Sequence, residues 1–225
     1  MNDYQTLYEK DADPWNYSGR AAEILRHRSV EELLKNTGKR FEHVLDIGCG
    51  LGHLTRRLKS VAAHVSACDV SAVAVQKAQN LPQNKGIHFF TAQFPGIPRQ
   101  AEKFDLVVVA DGIHEYVPEP HRGEALSEIE RLMKTNGTVL FSDYMRPGKF
   151  DPFIRFVGER FKIVKLVYLN DRLWYQFESW FKAVRHWEAV KILLSQIWIA
   201  KMLQPLSALL RTYGSTHLVI LASKK

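Results

Sequence analysis

Apolar residues fall in short blocks along the first two-thirds of this chain, and the blocks alternate in character. Runs at 43–47, 64–68, 87–91, 105–110 and 137–142 are nearly continuous, which predicts strands buried on both faces. Segments 52–60, 71–80 and 122–134 place apolar residues at helical spacing instead. A further helix is predicted near Arg20 to Asn36, with Ile24, Val30, Leu33 and Leu34 as its stripe and Gly38 ending it. Alternation of this kind implies an α/β fold: parallel strands with helices on both faces, in three layers. Right-handed crossovers then put a ligand at the carboxyl ends of the strands. Asp46, Asp69 and Asp111 each end a strand on that edge.

After Asp143 the pattern changes. Phe161 to Leu169 and Trp174 to Phe177 read as strand or strand-like, and a helical region is expected from about 178 to 212. In it Trp180, Phe181, Val184, Trp187 and Leu194 form an apolar stripe, with Lys182, Arg185 and Lys191 turned away. Pro205 is expected to open another helix, with Gly214 as its C′ residue. His217 to Ala222 makes a final strand. Roughly 35 residues before that strand are too many for a structureless loop, so they read as a helical insertion that caps a site or forms an interface.

The most informative stretch is Val44-Leu45-Asp46-Ile47-Gly48-Cys49-Gly50-Leu51-Gly52-His53-Leu54. A strand runs into an acid, three alternating glycines and a helix, a bend at which backbone can approach a ligand closely. A dinucleotide loop reads G-x-G-x-x-G and seats a pyrophosphate. Here the third glycine comes one residue early, and Asp46 suits a positively charged ligand rather than a pyrophosphate. Asp69, about twenty residues on, has the spacing of an acid that accepts hydrogen bonds from ribose hydroxyls. Asp69 and Ser71 are also both candidate helix N-caps.

These residues resemble the class I S-adenosylmethionine-dependent methyltransferases over about residues 40 to 145. Phe104 to Asp111 matches that family's fourth strand, Glu124 to Met133 the following helix, and Asn136-Gly137 the lead-in to the fifth strand. Asp11-Ala12-Asp13-Pro14-Trp15-Asn16-Tyr17 resembles the lead-in of the small nodulation-type N-methyltransferases. The resemblance implies a Rossmann-like, mostly parallel sheet with an antiparallel C-terminal edge and a helical insertion before the last strand. It implies a single methyltransferase domain over 1–225: a lid and helix at 1–38, a cofactor-binding core at 40–145, and a C-terminal part at 146–225. It implies S-adenosyl-L-methionine as cofactor and S-adenosyl-L-homocysteine as product. The residues expected around the cofactor are Asp46, Gly48, Cys49, Gly50, Gly52, Asp69, Val70, Ser71, Gln93, Phe94, Ala110, Asp111, Trp15 and Arg20. Gln93 stands where the family commonly has an acid for the adenine amino group, and its amide oxygen can accept the same bond.

Methyl transfer from a sulfonium needs alignment and exclusion of water, and a base only where the acceptor must lose a proton. His114 and Asp111, at the end of the fourth strand, are the candidates for that role, against the alternative that a neighbouring carbonyl satisfies the histidine. Glu115 is expected to be exposed and Tyr116 to pack. Tyr4, Tyr8, Trp15 and Tyr17 read either as an aromatic lid or as a staple of the N-terminal segment. Asp143 with Asp111 would give oxygen ligands for magnesium, but Tyr144 replaces an expected amide ligand, and no metal is assigned.

Composition narrows the partners. The chain has 225 residues, 46% of them apolar, and two cysteines, which fits one sizeable core and free thiols in a reducing cytoplasm. Met1-Asn2-Asp3-Tyr4 does not begin like a signal peptide. The longest apolar candidate, Ile192 to Ala200, contains Ser195 and Gln196 and stops at Lys201, short of a spanning helix. A net charge of +7 favours an anionic partner in principle, though no long basic run is present. Three functions stay open. One is a methyltransferase for an amine or hydroxyl of a small-molecule, sugar or lipid-linked acceptor. The second, less favoured, is a nucleic-acid methyltransferase, since Ala110-Asp111-Gly112-Ile113 lacks the Asn-Pro-Pro-Tyr of base-amino methylation. The third is a non-catalytic cofactor-binding scaffold. The insert is further read as a homodimer seam or a peripheral membrane contact.

Overall fold

The computed structural model describes residues 4–11, 13–98, 103–114, 116–146, 148–184 and 186–225. Two helices, α1 (Tyr4–Lys10) and α2 (Ala21–Lys35), precede the first strand. Then come β1 (Phe41–Ile47), α3 (Thr55–Leu58), β2 (Ala62–Asp69), α4 (Ala72–Asn80), β3 (His88–Thr91) and β4 (Phe104–Ala110). The second half runs α5 (Arg122–Leu132), β5 (Met133–Tyr144), α6 (Phe150–Arg160) and β6 (Phe161–Tyr168). It finishes with α7 (Arg172–Trp180), α8 (Glu188–Leu194), α9 (Ile197–Leu209) and β7 (His217–Lys224).

The strands form one sheet in the order β3-β2-β1-β4-β5-β7-β6. The first five are parallel, and β7 lies antiparallel between β5 and β6, giving the expected antiparallel edge. The chain leaves β1 toward β2 and β3, then returns to its other side at β4. The strand order therefore reverses between β1 and β4, where a crevice opens beyond the carboxyl ends. Side-chain alternation sorts the core: Leu45, Ile47, Val107 and Val109 pack toward α5 and α6. Val44, Leu106 and Val108 pack toward α2 and α3. Each such buried side chain stabilises by roughly 1.5–3 kcal/mol.

Several expectations are corrected. Trp174 to Phe177 is not strand-like but lies inside α7. The β6–β7 pairing ends at Tyr168, so these aromatics have no strand to join, and the Trp174 and Phe177 rings pack, tilted, on one helical face at 5.2 Å. Residues 181–184 and 186–187 are turns and bends rather than helix. Trp180 and Trp187 are exposed, while Val190 and Leu194 of α8 are the buried positions. Arg185 lies outside the described residues, as do Ala12 and Glu115. Pro205 sits within α9, eight residues past its start. α6 is a helix that the hydropathy reading leaves unassigned; Phe150, Phe153 and Val157 face inward from it. In α2, Glu23, Arg26 and His27 are buried while Ile24 is only half-buried, because that face meets the sheet edge rather than solvent. The helix read at 52–60 shortens to α3, and that read at 122–134 ends at Leu132.

Gly214 does not terminate α9 as a left-handed C′ residue. Arg211 takes the positive φ of 53° there, and Gly214 is needed for close approach. A Cβ at 214 falls 1.7 Å from the Ser207 carbonyl oxygen. Gly214→Ala is accordingly expected to lose about 3 kcal/mol in urea unfolding, since backbone must move to admit the methyl. A loss below about 0.5 kcal/mol would contradict this packing.

Asp46 supplies a second test. It lies 2% exposed in the sheet and accepts a hydrogen bond from the Thr55 hydroxyl at 2.6 Å. Burial, and then the nearby Asp69 charge, push its pKa up to about 7. Between the ordinary carboxylate value and 7 the folded chain keeps a proton that the unfolded chain has released. Stability from this group thus falls as pH rises through that window. Asp46→Asn retains an acceptor for Thr55 and removes the charge. Measured by denaturation, the variant is expected to gain about 2 kcal/mol on the wild type between pH 5 and pH 8. A difference independent of pH would show that Asp46 is not held protonated.

Candidate active site

The bend after β1 is shaped by backbone sign. Gly48, Gly50 and Gly52 have φ of 77°, 50° and 76°, values that a side chain resists. The Gly48 and Cys49 amides donate to the Cys68 carbonyl at 2.8 and 3.0 Å, laying the loop over the end of β2. Asp69 caps the arrangement: its carboxylate accepts from the Gly50 amide at 2.8 Å and from the Ser71 amide at 2.9 Å. A Cβ on Gly50 would stand 2.5 Å from the Tyr8 hydroxyl. The glycine is therefore what lets the N-terminal helix close down on the loop.

That closure forms an inner cavity of about 140 Å³. Tyr4, Tyr8, Trp15 and Tyr17 line it from the N-terminal side, Gly48, Gly50, Asp69 and Val70 from the loops after β1 and β2. Ala92, Phe94, Ala110, Asp111, Gly112 and Tyr116 complete most of the wall. The aromatics pack on one another, Trp15 against Tyr17 at 6.1 Å and Tyr8 at 5.4 Å. α1 is fastened to α4 by Lys77 on the Tyr8 carbonyl and by Gln5, whose amide oxygen accepts from Ser71 at 3.2 Å. Two carboxylates border the cavity, and among the described residues no lysine, arginine or histidine lines it. Burial raises the pKa of Asp69, against the hydrogen bonds from the Ser71 and Gly50 amides. Burial, and then Asp69, push the Tyr8 phenol up, so it stays neutral.

Of the residues expected around a cofactor, Trp15, Gly48, Gly50, Asp69, Val70, Phe94, Ala110 and Asp111 meet at this cavity. The others lie outside its lining. Asp46 is buried behind the loop, where its carboxylate accepts from the Thr55 hydroxyl. Ser71 is the N-cap of α4, accepting from the Ala74 amide at 3.2 Å. Gln93 is exposed. Cys49 is half-buried and turned from the lining, and a side chain at Gly52 would run into Asn84 and Phe89. Arg20 faces away, paired with Glu178. His114 is also outside: its ring packs on Phe153 at 6.2 Å and its amide donates to Asp143 at 3.0 Å. Burial, and then Arg122 and Lys149, lower its pKa. Its Nδ1 is buried without a hydrogen-bond partner among the described residues.

Asp111 is held by neighbours on both carboxylate oxygens. It holds a left-handed φ of 55° at the end of β4, and its carboxylate accepts from the Tyr144 amide at 3.1 Å. Its second oxygen pairs with Arg26 at 2.9 Å, and Arg26 pairs again with Glu23 at 2.8 Å. Glu23 accepts from the Tyr175 hydroxyl at 2.6 Å. Burial would raise Glu23, but Arg26 and then His217 hold it well below the usual carboxylate range. His217 Nδ1 meets Asp171 at 2.5 Å, and despite burial that carboxylate raises its pKa. Asp143, fully buried beside this group, is pushed up to about 7 by burial and then by Asp111. Sequence reading missed Glu23, Arg26, Asp171, Tyr175 and His217, which sit on α2, α7, the turn before α7 and β7. The available signal was a Glu–Arg pair three apart in a helix, which ordinarily marks a solvated face. Among the described residues no group of three His, Cys, Asp or Glu side chains is arranged to hold a metal ion.

Beyond this network lies an outer cavity of about 780 Å³, which shares Trp15 with the inner one. Its lining is of opposite character: Arg20, Arg146, Arg172, Lys182, His186 and Lys191 face it, with Asp11, Asp13 and Glu178. Arg20 and Glu178 neutralise each other, and Lys191 pairs with Glu188 at 2.7 Å. Arg146 and Lys182 have no carboxylate partner among the described residues.

Residues 44–137 match the model of a methyltransferase domain. Nodulation protein S of Azorhizobium caulinodans is 30% identical over 139 residues, which covers 60% of this chain and 66% of that protein. Malonyl-[acyl-carrier protein] O-methyltransferase of Salmonella typhimurium is 31% identical over 121 residues, 54% of this chain and 46% of that protein. The chain thus spans about half the length of the first curated relatives it matches, 46% and 59%. Among solved structures, the N-methyltransferase NodS of Bradyrhizobium japonicum in complex with S-adenosyl-L-homocysteine superposes with a TM-score of 0.68. It covers 100% of this chain and 99% of its own at 18% identity, a likeness of fold. Matched domain, strand order and glycine bend agree: residues 44–137 form a methyltransferase domain, in a chain with the Rossmann-like methyltransferase fold.

Proposed function

We propose that this protein transfers the methyl group of S-adenosylmethionine to an amine or hydroxyl of a small acceptor. The donor occupies the inner cavity and the acceptor the outer one. One observation carries the reading: the inner cavity borders two carboxylates and no cationic side chain among the described residues. A pyrophosphate would find no counter-charge there, whereas a nucleoside bearing a sulfonium and an ammonium, and no phosphate, matches the sign. In this reading Asp69 accepts from the ribose hydroxyls, Phe94 and Val70 border the adenine, and the lid aromatics face the cationic centre. Bound there, the donor supplies a methyl carbon already activated by its positive sulfur, so the chain mainly aligns the partners and keeps water out. Asp111 is occupied by Arg26 and Tyr144, which supports an orienting role for it rather than that of a base.

The outer cavity supports an acceptor carrying an anionic group, since Arg146 and Lys182 offer cations with no carboxylate partner among the described residues. Small-molecule, sugar and lipid-linked acceptors all suit that chemistry. Free thiols at Cys49 and Cys68 support work in a reducing cytoplasm.

Titration calorimetry with S-adenosylmethionine tests the donor site. One site per chain is expected, and Asp69→Ala and Gly50→Val should each weaken it at least ~tenfold while circular dichroism shows an unchanged fold. Unaltered affinity in both folded variants would move the donor elsewhere. Absence of binding by the wild type would remove the enzymatic reading altogether.

A further inference from the structure

α9 is apolar on two opposite faces. Ile197, Ala200 and Leu203 look inward, in one cluster with Ala21, Ala22 and Leu25 of α2 and Trp174 of α7. Trp198, Met202, Leu206 and Leu209 recur at steps of four, four and three, which puts them on a single outward stripe. They are 61%, 65%, 52% and 79% exposed. A helix that has already buried its inner face gains nothing in folding from a second apolar stripe. The surroundings continue it: nine of the large apolar residues exposed in this structure fall between 180 and 213, Trp180 and Trp187 among them. Scattered exposed apolar residues are ordinary, but a contiguous group marks a contact surface.

Charge indicates what covers it. Residues 179–214 contain Lys182, Arg185, Lys191, Lys201 and Arg211 but one acid, Glu188, which pairs with Lys191. A second copy of the chain would bring two such cationic faces together across a two-fold axis. An anionic lipid surface complements the charge and accepts tryptophan and leucine side chains at the headgroup boundary. Only taken together do α8 and α9 have the length and apolarity of a broken span, and their bend suits lying on the surface. α8 and α9 have 7 and 13 residues and are bent by 51° at their junction, and among the described residues no single helix is long and apolar enough to span.

We propose that the outer face of α8–α9 docks on an anionic membrane surface. α8 contributes Lys191 and Leu194 to the outer cavity and the turn before it Lys182 and His186, so docking brings that cavity to the headgroup layer. The proposal does not depend on the donor assignment. It is tested by co-sedimentation of the full chain with phosphatidylglycerol–phosphatidylcholine vesicles and with phosphatidylcholine vesicles alone, at low and high salt. Most of the protein is expected to pellet with the anionic vesicles at low salt, and at least ~threefold less at high salt or with neutral vesicles. The double variant Trp198→Glu, Leu209→Glu should pellet at least ~tenfold less while its circular dichroism and urea unfolding, which report the intact fold, are unchanged. Equal pelleting of wild type and variant overturns the proposal, as does failure of the wild type to pellet. Light scattering that finds a dimer dispersed by the same variant, without vesicle binding, assigns the face to a second copy and also overturns it.

Discussion

One buried guanidinium holds the working edge of this protein together. Arg26, 3% exposed, reaches from α2 to Asp111 at the end of β4 and is paired with Glu23 on its own helix. A charge taken out of water is tolerable only where opposite charge and hydrogen bonds replace the lost solvation. Here both sides of that requirement pull distant segments together. Glu23 recruits Tyr175 from α7, and His217 of β7, paired with Asp171, lies 3.9 Å from Asp111. The N-terminal helix, the fourth strand and the C-terminal insert are thereby fixed to one point. Asp111 is kept in a backbone conformation that a non-glycine residue resists.

This clamp also divides two electrostatic environments. On its inner side the glycine bend and Asp69 border a cavity with carboxylates and aromatic rings; on its outer side Arg146, Arg172 and Lys182 face a larger space. Trp15 lies on both. In the proposed function, such a pair of sites sorts a donor of positive charge from an acceptor of negative charge before any chemistry occurs. The N-terminal aromatics are packed on one another and tied to α4, which in that proposal keeps bulk water from the reacting partners.

Much of the fold was legible in local pattern. The five core strands, the glycine bend, Asp69 and the N-terminal aromatics were all readable because buried parallel strands are continuous apolar runs and a backbone bend demands glycine. Reading failed where the partner lay far along the chain. Trp174 to Phe177 has strand-like composition, yet no strand was left to pair with it. Trp180 and Trp187 read as one helical stripe, yet turns interrupt the helix between them and both are exposed. Asp46 read as a ligand-facing acid and is a buried brace for Thr55. His114 read either as a candidate base or as a histidine satisfied by a carbonyl, and its ring packs on Phe153.

The amino-acid sequence by itself determined the alternating strands and helices, the ligand-bearing edge and the sign of charge near the bend. These depend on residue type, short spacing and backbone conformation, all encoded within a few positions. Only the tertiary structure decided which charged residues are neutralised, which acids face a cavity, and which apolar faces remain uncovered. Those outcomes depend on contacts between residues more than a hundred positions apart, such as Tyr175 with Glu23 and Arg20 with Glu178. Solvation energy is settled by the final neighbours of a group, and periodicity along the chain carries no record of them.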